Sequence, residues 1–292
     1  MRQCRLSRFY LHLANIHAPK APVSFVVLVF TRLFAQTKAL SPGRNRCFFR
    51  SLPLTALGRT NPIRSAAVTT PTIVFDLDGT LVDTAPDLIA SLNHTIAIAD
   101  LAPVGFDDLT HLVGQGAKVM IERAFALRGS PLNTDMLPAL LERFVDHYSA
   151  TMPGDSLPYP GLTAALDRLG AAGFRLAVCT NKMEKLAVPL IESLGLAHYF
   201  AAVTGGDTFA MRKPDAGHLL GTIERAGGDA RFAVMVGDSI NDILAARNAN
   251  VPSVAVPFGY ADEPVETLGA DVIIRHFDEL TTGLLTALLQ RA

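Results

Sequence analysis

The sequence predicts an α/β fold: a Rossmann-like parallel sheet core with an inserted helical cap domain. Short β-branched runs alternate with helical patterns along residues 72–290, which is the order of elements in such sheets. The runs are apolar along their whole length, as expected of strands that helices cover on both faces. About 95 residues without a convincing strand separate the first run from the second, far more than a simple crossover needs.

The predicted elements follow from these runs and from helical periodicity. The strands are Thr72–Asp76, Arg175–Thr180, Ala201–Gly205, Phe232–Asp238 and Ser253–Pro257, with Asp271–Arg275 as a candidate sixth. The helices between them are Leu162–Ala172, Lys185–Leu194, Asp215–Ala226, Asn241–Ala249 and Phe277–Leu289. Inside the insertion the helices are Asp87–Ala99, Val119–Leu127 and Leu137–Ser149. These boundaries predict a core formed by residues 71–83 and 155–292 and a cap formed by residues 84–154.

Composition and charge separate the chain into a basic leader and an acidic body. Of the 292 residues 49% are hydrophobic, so the chain can bury a sizeable core. Residues 1–70 contain 11 Lys and Arg and no Asp or Glu, whereas the remaining residues carry 15 basic and 27 acidic side chains. An acidic body lacks the charge of a nucleic-acid-binding protein. Three cysteines are too few for a disulfide framework, which favours a reducing compartment.

The leader, residues 1–70, does not look like part of the fold. Its longest apolar run, Val23–Phe30, is too short to cross a membrane, which takes roughly 20 residues. Two interpretations stay open: an organelle transit peptide, or translated sequence upstream of a true start near Val68. We favour the second, and expect these residues to be disordered or absent from the mature protein. The expected location is the cytoplasm, or an organelle if the leader is a real transit peptide.

Polar residues follow the predicted strands at their carboxyl ends, where ligands bind in parallel sheets. They are Asp76, Asp78 and Gly79 after the first strand, Thr180 and Asn181 after the second, Lys213 before a helix, and Asp238 and Asp242 after the fourth. Any one of them has an ordinary explanation: Thr180 and Ser239 could be helix N-caps, and Lys213 a solvated lysine before Pro214. Their combination at one edge of a sheet favours chemistry.

The chemistry that this set suits is phosphoryl transfer. Clustered carboxylates attract a hard cation such as magnesium. One carboxylate beside the metal can attack phosphorus, and a second, two residues later, can move the proton. Thr180 and Lys213 would bind the phosphoryl oxygens, and Gly79 would let the backbone approach them.

The motifs resemble those of the haloacid dehalogenase superfamily, in order across residues 72–242. The resemblance implies that Asp76 is the nucleophile and Asp78 the acid/base, and that Thr180 and Asn181 with Lys213 contact phosphate. It also implies that magnesium is held by Asp76, the backbone carbonyl of Asp78, and Asp238, with Asp242 orienting Lys213 or a water. The insertion corresponds to the type 1 cap of that family. Asp78 counts against a dehalogenase, which lacks the second aspartate.

Further local matches lie at Val113–Ala117 and Glu122–Ala124 in the cap, Thr180–Lys182, Gly205–Asp207 and Phe258–Tyr260. In these segments the sequence most resembles the bacterial phosphoglycolate phosphatases of the family. We therefore expect hydrolysis of a small phosphate monoester, with 2-phosphoglycolate as the first candidate and an aspartyl-phosphate intermediate. A phosphatase for sugar phosphates, nucleotides or pyrophosphate, a phosphosugar mutase, and a non-enzymatic binding subunit are the alternatives. The cap turn Gly114-Gln115-Gly116 is expected to read the substrate, with Lys118 and Arg123 as nearby cations. No nucleic acid or membrane partner is expected, and the protein should be a monomer or homodimer.

Overall fold

A computed structural model describes residues 70–261 and 263–291, so the predictions for the leader fall outside the described residues. The strands are β1 Thr72–Phe75, β2 Val82–Asp83, β3 Leu157–Pro158, β4 Arg175–Cys179, β5 Phe200–Thr204, β6 Ala233–Gly237, β7 Ser253–Ala255 and β8 Val272–Ile273. Six of them form a parallel sheet in the order β5-β4-β1-β6-β7-β8. The predicted α/β class and parallel sheet are confirmed.

Helices cover both faces of this sheet. They are α4 Leu162–Ala171, α5 Glu184–Ser193, α6 Ala216–Arg225, α7 Ile240–Asn248 and α8 Thr282–Leu289. Strand β1 shows why its residues are all apolar: Ile73 and Phe75 pack with α4, α5 and α8, whereas Val74 packs with α6 and α7. Each of these side chains is fully buried, which contributes about 1.5–3 kcal/mol per side chain.

The long insertion between β2 and β3 holds three α-helices with a core of their own. They are α1 Ala85–Ile96, α2 Ala117–Leu127 and α3 Leu137–Thr151, and we call residues 85–151 the cap. Leu92 on α1, Ile121 on α2 and Phe144 on α3 are almost completely buried against one another. Helix α1 begins two residues before the predicted start, because Pro86 occupies its first turn, where a missing N–H costs no hydrogen bond.

Two short strands that the sequence did not predict join the cap to the sheet. Strands β2 and β3 pair antiparallel on either side of the cap. Each has two residues, too short for any periodicity to reveal. Next to them, the carboxylate of Asp87 accepts hydrogen bonds from the backbone N–H groups of Asp155 and Ser156, both at 3.0 Å, and from the Ser156 hydroxyl. The first turn of the cap is therefore tied to the segment that follows the cap.

The predicted C-terminal helix Phe277–Leu289 is wrong in one respect, because the structure divides it. A 3-10 turn covers Phe277–Glu279, and α8 starts afresh after Thr281, whose hydroxyl accepts from the backbone N–H of Leu284. Arg168 binds the carbonyls of Phe277 and Leu280 at 3.0 and 3.3 Å, so these carbonyls need no helical partner. Within the described ranges, no helix has the length and apolar character needed to span a bilayer.

Candidate active site

The carboxyl edge of the sheet brings the predicted site residues together. Asp76 follows β1, Thr180 follows β4, Asp238 follows β6, and Lys213 precedes α6. All four are almost completely buried, with exposed fractions of 8%, 2%, 3% and 2%. Buried polar groups of this kind require partners, and each of the charged ones has them.

Lys213 lies between two carboxylates. Its Nζ is 2.9 Å from Oδ1 of Asp76 and 2.6 Å from Oδ1 of Asp242. Burial lowers the pKa of Lys213, but Asp242 and Asp76 raise it by more, so the pKa lies above its usual value and the ammonium stays charged. The alternative of a solvated lysine is therefore wrong. His218 accepts a hydrogen bond from the backbone N–H of Lys213 at its Nδ1, 3.3 Å away.

Asp76, Asp238 and Asp242 form a cluster in which one carboxylate oxygen from each lies within 4.8 Å of the others. Burial, partly offset by Lys213, raises the pKa of Asp76 to about 7. Burial and the charges of Asp242 and Asp76 raise the pKa of Asp238 to about 8. One ammonium does not balance three buried carboxylates, so the donor set fits a divalent cation that oxygen ligands bind.

Each carboxylate of this cluster is oriented by hydrogen bonds. Oδ1 of Asp238 accepts from the Thr80 hydroxyl at 2.9 Å, and Oδ2 accepts from the backbone N–H of Tyr260 at 2.8 Å. Asp242 has both oxygens engaged, Oδ1 by Lys213 and Oδ2 by the N–H and hydroxyl of Ser239 at 3.0 and 2.7 Å. Because the donors to Asp238 are neutral, whereas Asp242 is already paired with the Lys213 ammonium, Asp238 is better placed to bind a cation directly and Asp242 to hold Lys213.

Gly79 lies against Asp238. Its φ is +83°, and a Cβ added there would lie 2.5 Å from Oδ2 of Asp238. The sequence predicts that Gly79 lets the backbone approach phosphate. In the structure, Gly79 leaves room for the Asp238 carboxylate and adopts a left-handed backbone conformation that other residues rarely adopt.

Asp78 contacts Lys182, which is not among the predicted site residues. Its Oδ1 accepts from the Thr84 hydroxyl at 2.8 Å and lies 3.0 Å from Nζ of Lys182. The Lys182 side chain is 4% exposed, and its Nζ is 4.1 Å from the centroid of the Tyr148 ring on α3. Burial lowers the pKa of Lys182, but the Asp78 carboxylate and Tyr148 together raise it by more, so the group stays charged. Tyr260 was also missed; its hydroxyl accepts from the N–H groups of Thr84 and Ala85 at the start of α1, at 2.7 and 2.9 Å.

The cap turn 114–116 is bound to the core by three hydrogen bonds. The carbonyl of Gly114 accepts from the amides of Asn181 and Asn241 at 3.2 and 3.3 Å. The carbonyl of Gln115 accepts from Arg212 at 3.1 Å. The second amide hydrogen of Asn181 goes to the carbonyl of Lys213 at 3.1 Å, so only the backbone N–H of Asn181 is left for a phosphate. The turn thus closes the cap over the core.

A cavity lies between cap and core beside Asp76 and Asp78. Its other lining residues are Leu88, Val113, Gly114, Gly116, Ala117, Met120, Phe144, Thr180, Asn181, Lys182, Met183 and Leu186. Lys118 is not among them; it is 58% exposed and lies 3.9 Å from Glu122. Arg123 does not line the cavity either. A second cavity, on the other side of the same two aspartates, is lined by Gln115, Asp238 and Tyr260 among others.

Comparison with known proteins gives consistent matches. Residues 73–256 match the family model of haloacid dehalogenase-like hydrolases. The chain is 64% identical over 221 residues to the phosphoglycolate phosphatase of Agrobacterium fabrum, covering 76% of this chain and 95% of that protein. It is 48% identical over 217 residues to the phosphoglycolate phosphatase of Caulobacter vibrioides, covering 74% and 92%. The crystal structure of a predicted phosphoglycolate phosphatase from Haemophilus somnus superposes with a TM-score of 0.68 at 30% identity, covering 72% of this chain and 96% of that one. The similarity therefore extends over nearly the whole length of each relative.

Proposed function

The chain belongs to the haloacid dehalogenase-like hydrolases, and on this basis we propose that it is a magnesium-dependent phosphatase that hydrolyses 2-phosphoglycolate to glycolate and phosphate. The observation that carries the proposal is the 64% identity to the A. fabrum phosphoglycolate phosphatase over 95% of its length. The buried residues Asp76, Thr180 and Lys213, with the half-buried Asp78 beside them at one edge of the sheet, support it.

Asp76 is the proposed nucleophile. Its Oδ1 accepts from the backbone N–H of Leu77 at 2.7 Å and contacts Lys213, so the carboxylate is held in one orientation. A bond forms between a carboxylate oxygen of Asp76 and phosphorus while the bond from phosphorus to the glycolate oxygen breaks. The product of this step is an aspartyl phosphate.

Asp78 is the proposed acid and base. It gives a proton to the departing glycolate oxygen and then takes one from the water that attacks the aspartyl phosphate. The attack by water breaks the bond between phosphorus and Asp76 and releases inorganic phosphate. The hydrogen bond from Thr84 and the ion pair with Lys182 hold Asp78 in place.

Thr180 and Lys213 are proposed to bind the oxygens of the transferred group. Both line or border the space beside Asp76, and the Lys213 ammonium balances negative charge that grows there in the reaction. The backbone N–H of Asn181 is a third candidate donor, and Gly79 is retained as the backbone position that would approach the phosphate.

The residues that would hold magnesium are Asp76, Asp238 and the backbone carbonyl of Asp78, with Asp242 positioning Lys213. The high pKa values of Asp76 and Asp238 reflect a site in need of further positive charge. A bound magnesium ion would balance the charge of the carboxylates and of the phosphoryl group. The same proposal includes three expectations from the sequence. They are a cytoplasmic location, a monomeric or homodimeric state, and no nucleic-acid or membrane partner.

Release of phosphate by the purified full chain tests the function. We expect magnesium-dependent release, faster from 2-phosphoglycolate than from a sugar phosphate or from para-nitrophenyl phosphate. Asp76→Asn serves as the matched control, since it keeps the shape of the side chain. Faster hydrolysis of a sugar phosphate would leave the phosphatase class and reject the substrate. No release from any ester would reject both.

A further inference from the structure

Lys182 is the one lysine or arginine among the residues that line the cavity between cap and core in the described part of the chain. Its ammonium is buried to within a few per cent of completely, and it faces the same space as Asp76 and Asp78. A charged group is costly to bury unless it is paired and hydrogen-bonded, so the partners of this ammonium have to be accounted for.

The contacts of Lys182 leave part of its donor capacity unused. An ammonium has three N–H donors. The carboxylate of Asp78 takes up one side of the group, at 3.0 Å to Oδ1 and 3.4 Å to Oδ2. The ring of Tyr148 lies on another side, 4.1 Å from Nζ, and offers a face that attracts a cation but accepts no strong hydrogen bond. The group can therefore donate to a further acceptor that enters the cavity.

The rest of the cavity wall selects against most leaving groups. On the cap side its larger side chains are those of Leu88, Val113, Met120 and Phe144, which offer no partner for a hydroxyl group. A sugar hydroxyl that meets these side chains would lose hydrogen bonds to water without replacement. Ala117, the first residue of α2, also lines the cavity, and no side chain caps that helix start. Its partial positive charge acts in the same direction as the ammonium.

From this arrangement we propose that Lys182 determines specificity by binding the carboxylate at the far end of the substrate's leaving group. The inference rests on the proposed phosphatase function and deepens it. It assigns to the enzyme short phosphate esters with an anionic end. The substrate carboxylate is then recognised by Lys182 in the core loop after β4, with Tyr148 of α3 beside it. Lys118 and Arg123 on α2 do not have this role.

The experiment compares two esters of equal length, 2-phosphoglycolate and its uncharged amide, 2-phosphoglycolamide. The full chain should hydrolyse the carboxylate with a kcat/KM about 10- to 100-fold higher, the range of a hydrogen bond to a charged group. In Lys182→Met this preference should fall to about threefold or less, whereas Lys182→Arg should retain most of it. Lys118→Met, the rival cation, should keep the wild-type preference.

The outcomes separate the two proposals. If Lys182→Met keeps the preference, or if Lys118→Met loses it, the assignment is overturned. The comparison of the two esters with the unaltered protein needs no variant to fold, and equal rates for both would reject anion recognition while leaving the phosphatase in place. Failure of the unaltered protein to release phosphate from either ester or from para-nitrophenyl phosphate would reject the proposed function itself, and the inference with it.

Discussion

Without a bound divalent cation, the protein should lose stability as the pH rises from about 6.5 to 8. The cause is the buried pair Asp76 and Asp238, whose pKa values are raised to about 7 and about 8. In the unfolded chain both carboxyls have already lost their protons at pH 6.5, because an exposed aspartate has a pKa near 3.9. Raising the pH through this interval therefore removes protons from the folded state alone, and the free energy of unfolding falls.

The two pKa values set the size of the effect. The pKa of Asp76 lies about half a pH unit above 6.5, and that of Asp238 about one and a half units above it. Each such unit lowers the free energy of unfolding by about 1.4 kcal/mol. The free energy of unfolding should fall by about 2–3 kcal/mol. His218 offsets only a small part of this fall. Burial lowers its pKa to about 4, so most of its difference from an unfolded histidine, whose pKa is about 6.5, acts below this interval.

Urea unfolding in the presence of a chelator measures the effect. Saturating magnesium should reduce the pH dependence, because a bound cation favours the ionised carboxylates. In Asp238→Asn only the Asp76 contribution should be left, about 1 kcal/mol or less. A free energy of unfolding that is constant or increases from pH 6.5 to 8 in the metal-free protein would refute the account of the cluster.

Three substitutions test other parts of the site. Asp76→Asn should lower phosphate release by about a thousandfold or more while the variant still unfolds cooperatively in urea, and substantial turnover at saturating magnesium would contradict a covalent mechanism. Lys213→Met should reduce the metal-free free energy of unfolding by about 3–5 kcal/mol, because Asp242 loses its buried partner; a loss below about 1 kcal/mol would show that the ion pair is dispensable. Gly116→Val should slow 2-phosphoglycolate and para-nitrophenyl phosphate alike, because φ is +82° and a Cβ there would lie 3.0 Å from the Asn181 carbonyl, so that the cap cannot close. Loss of activity toward 2-phosphoglycolate alone would contradict this prediction. It would indicate that the cap turn 114–116 recognises the substrate.

The strand ends could be predicted from the sequence because a parallel sheet places all of them at one edge. Asp76, Thr180 and Asp238 each follow an uninterrupted apolar run, so their order in the chain was enough to bring them together. Lys213 needed the family motif, since nothing in its neighbours distinguishes a buried lysine from a solvated one.

Lys182 could not be assigned in that way. Its burial depends on Tyr148, which lies on α3 of the cap, whereas Lys182 follows β4 in the core. The same holds for Tyr260, whose hydroxyl reaches the start of α1 from a loop 175 residues later in the chain. Contacts across the cap and core are set by tertiary packing, and local periodicity carries no information about them.

The carboxylate of Asp87 has a consequence for how this protein could be altered. Because it joins the first turn of α1 to the segment that follows the cap, the two ends of the cap lie side by side. A segment whose ends are adjacent can be exchanged or lengthened without moving the strands to which it is attached. A graft that keeps the first turn of α1 with Asp87, together with Asp155 and Ser156, should accept a foreign remainder of the cap. It would then change which esters reach an unaltered set of catalytic groups.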